Sequence, residues 1–215
     1  MRKFLLTMMI VIITLCMLAA CSGKDEQTDS VVEGNENETS EDVTKENDGE
    51  ELNIEELSNL MIEALDDQDM ESVAKYAHPE KGLLFSPYVY IMDDAVVIGQ
   101  HEVASMMDSD ELYEWGAYDG KGTPIELTPA EFFDEFMDMK PFLNPDDILI
   151  DDLQERGNTR NNVQEVFPDA QVVEYYYDGS EEYAGIDWSS VLLVYETDEA
   201  GLLKLVAIIR DMWTI

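Results

Sequence analysis

The sequence predicts an α+β domain in which N-terminal helices pack on a curved, mainly antiparallel sheet. Three observations carry this. Two capped, apolar-striped helical patterns open at Asn53 and Asp69. Three strand-like runs, 171–177, 191–196 and 202–209, close the chain. Helices and strands are thus segregated along the sequence, which is the α+β pattern and not the alternation of a parallel α/β sheet. With 45% hydrophobic and 28% charged residues the chain has the composition of a globular protein. Its 49 acidic against 12 basic side chains give a net charge of −37, which repels phosphate and excludes nucleic acid as a partner.

The elements follow in order. Asn53 is an N-cap with Glu56 in capping-box position, and Ile54, Leu57, Leu60, Met61, Ala64 and Leu65 mark one helical face until Asp66-Asp67 breaks it. Asp69 caps a second helix carrying Met70, Val73, Ala74 and Ala77, which His78-Pro79 stops. Leu83–Ile91 and Ala95–Ile98 are rich in β-branched and aromatic residues and read as short strands parted by Asp93-Asp94. The stretch 112–118 is extended, Asp119-Gly120-Lys121-Gly122 is turn chemistry, and 125–127 returns as a hairpin partner. Thr128-Pro129-Ala130-Glu131 combines N-cap, N1 proline and capping-box glutamate, and launches a helix bearing Phe132, Phe133, Phe136 and Met137. Residues 140–160 read as loop with a short strand at 148–150, and 161–167 as one or two helical turns. Asp198-Glu199-Ala200-Gly201 joins the last two strands as a tight hairpin.

The first fifty residues are of another kind. Arg2 and Lys3 precede an apolar run, Phe4–Ala20, as in a secretory signal peptide. That run ends Leu18-Ala19-Ala20-Cys21, which resembles the lipobox of bacterial lipoproteins. The resemblance implies a signal peptide over 1–20, lipid attachment to the Cys21 thiol and an extracytoplasmic, membrane-anchored location. An uncleaved transmembrane anchor is the alternative. It would be short for a span that usually takes about 20 residues, and it leaves the small residues before Cys21 unexplained. Two acyl chains on one cysteine supply the two signals that stable anchoring needs. Residues 21–52 hold twelve acids and no aromatic residue, so they lack a face to bury and are expected to be a disordered spacer. A single domain then occupies 53–215. It contains no cysteine, which removes disulfides, thiolate nucleophiles and cysteine-ligated zinc from its chemistry.

The element order is similar to the cone-shaped fold of nuclear-transport-factor-2-like proteins. His78, Pro79, Gly82, Phe85-Ser86-Pro87-Tyr88, Trp115-Gly116, Tyr118-Asp119-Gly120, Asp187-Trp188 and Trp213-Thr214-Ile215 together resemble a group of uncharacterised lipoproteins of Gram-positive bacteria. Neither resemblance implies an activity. The aromatics read first as core. The functional reading makes Tyr88, Tyr90, Trp115 and Trp188 the lining of a pocket.

No GxSxG, HExxH, P-loop or GxGxxG motif is present, and no cofactor or metal is expected. His78, at a helix C-terminus where a cation is favoured, and His101 lack partners that demand acid–base work. Asp93 or Asp94 in an apolar pocket would serve an isomerase-like enzyme. Asp93-Asp94, Asp108 with Asp110 and Glu111, and Asp146-Asp147 with Asp151-Asp152 supply oxygen ligands without matching a calcium loop. Of Tyr175-Tyr176-Tyr177, at most Tyr175 and Tyr177 share a face on which a wall sugar could stack, and core packing is the expected use of the run, the packing alternative to the sugar. The expectation is therefore a membrane-tethered, non-enzymatic binding or interaction domain with a cationic, cell-wall or small-molecule ligand; the alternative is a small-molecule enzyme using the cone pocket. At the end of the chain, Trp213 is expected to pack and Asp211 to remain at the surface.

Overall fold

A computed structural model describes residues 52–214. The signal segment, Cys21 and the acidic stretch to residue 51 lie outside the described residues, as does Ile215. Leu52, assigned above to the spacer, packs against the domain core.

Local chemistry sets the first elements. Helix α1 (Ile54–Asp66) opens on a full capping box: Asn53 Oδ1 accepts the amides of Glu55 and Glu56 at 3.0 Å, and Glu56 Oε2 accepts the Asn53 amide at 3.1 Å. These bonds satisfy N–H groups that have no partner within the helix. Helix α2 (Met70–Tyr76) is capped by Asp69. Strand β1 (Leu83–Ser86) pairs antiparallel with the two-residue β2 (Val97–Ile98). A short helix, α3 (Gln100–Val103), follows; it breaks no pattern that the sequence analysis singled out and was not expected there. Strands β3 (Tyr113–Ala117) and β4 (Pro124–Leu127) form a separate antiparallel hairpin that leads into α4 (Pro129–Phe136). After a 3₁₀ turn at Lys140–Leu143 come β5 (Asp147–Ile150), α5 (Val163–Val166), β6 (Gln171–Tyr177), β7 (Ser189–Thr197) and β8 (Leu203–Met212).

The main sheet has six strands in the order β2-β1-β8-β7-β6-β5. Every pairing is antiparallel except β1 with β8, where Leu84 lies opposite Ala207 and Ser86 opposite Ile209. The architecture is α+β with a mainly antiparallel sheet. No helix among the described residues is long and apolar enough to cross a membrane.

Alternation along the strands divides the core in two. One face presents Phe85, Val173, Tyr175, Val191, Leu193 and Ile208 to α1, α2, α4 and the β3–β4 hairpin. Two buried tyrosines tie α1 to it: Tyr175 donates to Asn59 Oδ1 at 2.6 Å, and the Tyr195 hydroxyl is bonded to Ser58 Oγ at 3.0 Å. Tyr175 is therefore core, as the packing alternative had it. The other face presents Leu84, Val172, Leu192, Val194, Ala207 and Ile209. It is covered by Val89 and Ile91 and by Val163 of α5, with Leu153 and Phe167 beside them. Asn162 locks this second layer by accepting the Ile91 amide at 2.8 Å and donating to its carbonyl at 2.9 Å. A bulge where Val194/Tyr195 meet Ala207/Leu205 puts Val206 on the same side as Ala207.

Aromatic rings fill the helix-side core. Trp115 stacks on Phe132 with centroids 4.1 Å apart, Phe85 meets Trp115, Phe132 and Phe133 edge-on, and the Trp115 indole N–H donates to the Leu127 carbonyl at 2.9 Å.

Two expectations for the chain end are corrected. Trp213 is 50% exposed, because its neighbour Thr214 takes the inward position, 3.1 Å from Thr159. Asp211 is 5% exposed, because both faces of β8 are covered. Phe132→Ala should therefore cost about 3–5 kcal/mol, while Trp213→Ala should cost about 1 kcal/mol or less. Urea midpoints of the two variants check this; equal midpoints would overturn it.

Candidate functional site

A mostly apolar hollow lies where two strands are interrupted. Pro87 has no N–H to extend β1, and Ser86 Oγ donates to the Tyr88 carbonyl at 2.7 Å, turning the chain out of the sheet. Across from it, the β3–β4 register shifts between Glu114 and Ala117. The shift passes through Gly116 at φ +128°, a backbone conformation that a side chain would strain. Between these two interruptions opens a cavity of about 240 Å³, to which the segment after β1 gives Pro87, Tyr88, Tyr90, Met92 and Ala95, and β3 gives Trp115, Gly116 and Ala117. Ser86, Asp119 and Thr159 are its polar members.

Tyr88, Tyr90 and Trp115 are thus brought together. Tyr88 packs edge-on against Phe136 at 6.0 Å, and its hydroxyl accepts the Asp119 amide at 3.4 Å. Burial pushes its phenol above the ordinary value; the amide bond opposes this, and the Asp119 and Glu135 carboxylates add to it. Trp115 is held in the core and 2% exposed, whereas Tyr90 at 42% and Met92 at 46% are free to meet solvent.

Trp188 is placed elsewhere. It tilts on Tyr176 at 6.2 Å, lies over Gly157, and lines a different, more open hollow with Tyr183, Ile186, Arg210 and Trp213. Which hollow a ring joins depends on the segments that fold against it from elsewhere in the chain, and no local pattern records that.

A buried charge cluster, which the sequence analysis did not anticipate, occupies one end of the main sheet. Glu174, on the second face with Val172, accepts from Arg156 Nε at 2.8 Å and Nη2 at 3.4 Å. The Arg156 guanidinium lies 3.6 Å from the Tyr176 ring centroid. Burial pushes the Asp211 carboxyl up to about 7; the Glu174 charge adds to this, while the Met212 amide, Arg156 and Arg210 oppose it. On the helix side, burial brings Arg210 down to about 10, so it is still charged at neutral pH. Its Nη1 donates to the Ser190 carbonyl at 3.0 Å and its guanidinium lies 4.6 Å from the Phe142 ring centroid, but Nε has no hydrogen-bond partner.

The other candidates are dispersed. His78 is buried in the turn after α2, where Nδ1 accepts the amides of Glu80 at 3.2 Å and Lys81 at 3.1 Å and so caps the turn. His101 is exposed on α3. Asp93 and Asp94 are exposed, so neither is the carboxylate of an apolar pocket. Asp146 accepts the Asp178 amide, Asp147 the Ile148 amide and Asp151 the Val172 amide, all at 2.8–2.9 Å. Among the described residues no three acidic or histidine side chains converge as metal ligands would. Neither a protein-family model nor a curated protein sequence matches the chain.

The Asp211 carboxyl gives a pH signature. Its folded-state value is raised, so its contribution to stability is complete below about pH 4 and is lost as the pH rises through about 7. Each unit of displacement is worth about 1.4 kcal/mol. Between pH 4 and 8 the wild type should lose stability relative to Asp211→Asn, on the order of a few kcal/mol. Urea unfolding of both proteins across that range measures the difference; parallel profiles would refute it.

Proposed function

We propose that this protein is a lipoprotein, held on the extracytoplasmic face of the cell membrane by lipid on Cys21, whose domain binds a small molecule without transforming it. The observation that carries the binding half is the cavity between Tyr88, Tyr90 and Trp115: concave, mostly apolar, and bearing few polar groups. The longer helices, α1, α2 and α4, gathered on one face of a mainly antiparallel sheet are in keeping with the nuclear-transport-factor-2-like cone, the finer form of the fold that we propose. An enzyme working in this cavity would want a carboxyl poised near neutrality. The one so displaced among the described residues, Asp211, is not part of the cavity wall. The lipid half rests on Leu18-Ala19-Ala20-Cys21 after the apolar run.

Each half has its own experiment. Cys21→Ser should abolish labelling by a fatty acid and shift the protein from the membrane fraction to the medium, or leave an uncleaved precursor; labelled protein that still cleaves would sink the anchor. For binding, the protein is extracted from its native membrane and its copurifying small molecules are read by mass spectrometry. Ala95→Trp, which fills the cavity, should remove a compound that the wild type retains. Identical profiles from the two proteins would overturn the binding reading.

A further inference from the structure

Resting on that reading, we propose that the cavity takes a quaternary or alkylated ammonium group, recognised by Tyr88 and Tyr90 with Asp119 at its rim. Two tyrosine rings and a carboxylate line this hollow, a set that attracts such cations, since a ring presents a negative face; Trp115, buried and stacked on Phe132, backs the lining. Tyr88 is held in place before any ligand arrives by Phe136 and the Asp119 amide, and the buried Trp115 is fixed by its stack on Phe132 and its bond to Leu127. Preorganisation of this kind lowers the ordering cost of binding. The exposed Tyr90 is the wall free to adjust.

Charge decides between a cation and a neutral apolar guest. Asp119 lines the cavity, and the Glu135 carboxylate acts on the same Tyr88 phenol. No lysine or arginine lines it. The molecule elsewhere seats its own cations on rings: Lys121 on Tyr118, whose hydroxyl donates to Glu135, Arg156 on Tyr176, Lys204 on Tyr76 and Arg210 on Phe142. Among the described residues none sits on Tyr88, Tyr90 or Trp115. An anion would meet Asp119 and a strongly acidic chain, with no compensating base. The size agrees: about 240 Å³ is below the range of drug-sized ligand pockets, roughly 300–1,000 Å³. A compact head group fits it.

The test compares choline with its uncharged carbon isostere, 3,3-dimethylbutan-1-ol, by calorimetry and by the Trp115 indole N–H resonance. It uses the full chain in a maltoside detergent. Choline should bind at least about ten-fold tighter than the alcohol. Tyr90→Ala and Asp119→Asn, both at exposed positions, should each weaken choline by about 2- to 30-fold while leaving the urea midpoint in place. Equal affinities for choline and the alcohol would overturn the cation but keep a binding cavity. Binding of neither would overturn this proposal, while the copurification experiment decides the binding reading separately. Dihexanoylphosphatidylcholine below its micelle concentration tells the source: tighter than choline means a lipid head group, weaker means a free solute.

Discussion

Strand β8 lies inside the sheet with both faces covered, and the rest of the domain depends on that. On one side it lends Leu205 and Ile208 to the layer of helices; on the other it lends Val206, Ala207 and Ile209 to the layer made by the 87–95 and 151–170 segments. Its two neighbours are dissimilar: β7 arrives through a tight hairpin, while β1 comes from far back in the chain and pairs parallel. The same partnership begins before β1, where Ala77 bridges to Leu205 and the His78 amide donates to the Leu205 carbonyl at 2.9 Å. Helix α2 is thereby fastened to the strand that the helices cover.

Coverage on both faces has an electrostatic consequence. A strand with one wet face can send a charged residue outward, but β8 has no such face along its last turn of pleat. Arg210 and Asp211 are successive, so one enters each layer. On the helix side Arg210 is met by the Ser190 carbonyl of β7 and the Phe142 ring. The second layer brings Asp211 close to the charge of Glu174, and Arg156 comes in from the long connection to neutralise Glu174. Twenty residues between β5 and β6, 151–170, are more than a simple connection requires. Here they form the cover of a face, fastened at Arg156, Thr159 and Asn162.

The cavity arises from the opposite circumstance, where coverage is incomplete. Pro87 ends β1 and the shift at Gly116 disturbs β3, so the two segments do not close upon each other. The rings at the gap are anchored on their far sides by Phe132 and Phe136. Core packing and pocket lining are accordingly one structure: the stack that stabilises Trp115 also fixes it as a wall.

What the sequence determined by itself is whatever rests on hydrogen bonds and sterics within a few residues. The Asn53–Glu56 and Thr128–Glu131 boxes, the Asp69 cap, the 119–122 turn and the final hairpin all stand where their residue types required them. The β6 run stands at its expected limits. Tertiary structure alone decided the parallel β1–β8 pairing and the second layer over the sheet, since neither leaves a local periodicity. It sent Tyr88, Tyr90 and Trp115 to one cavity and Trp188 to another, exposed Trp213 and buried Asp211. The reason is physical. A residue type states how much burial would be worth or cost, but whether a given face is covered depends on segments far away in sequence, and only the folded chain brings them there.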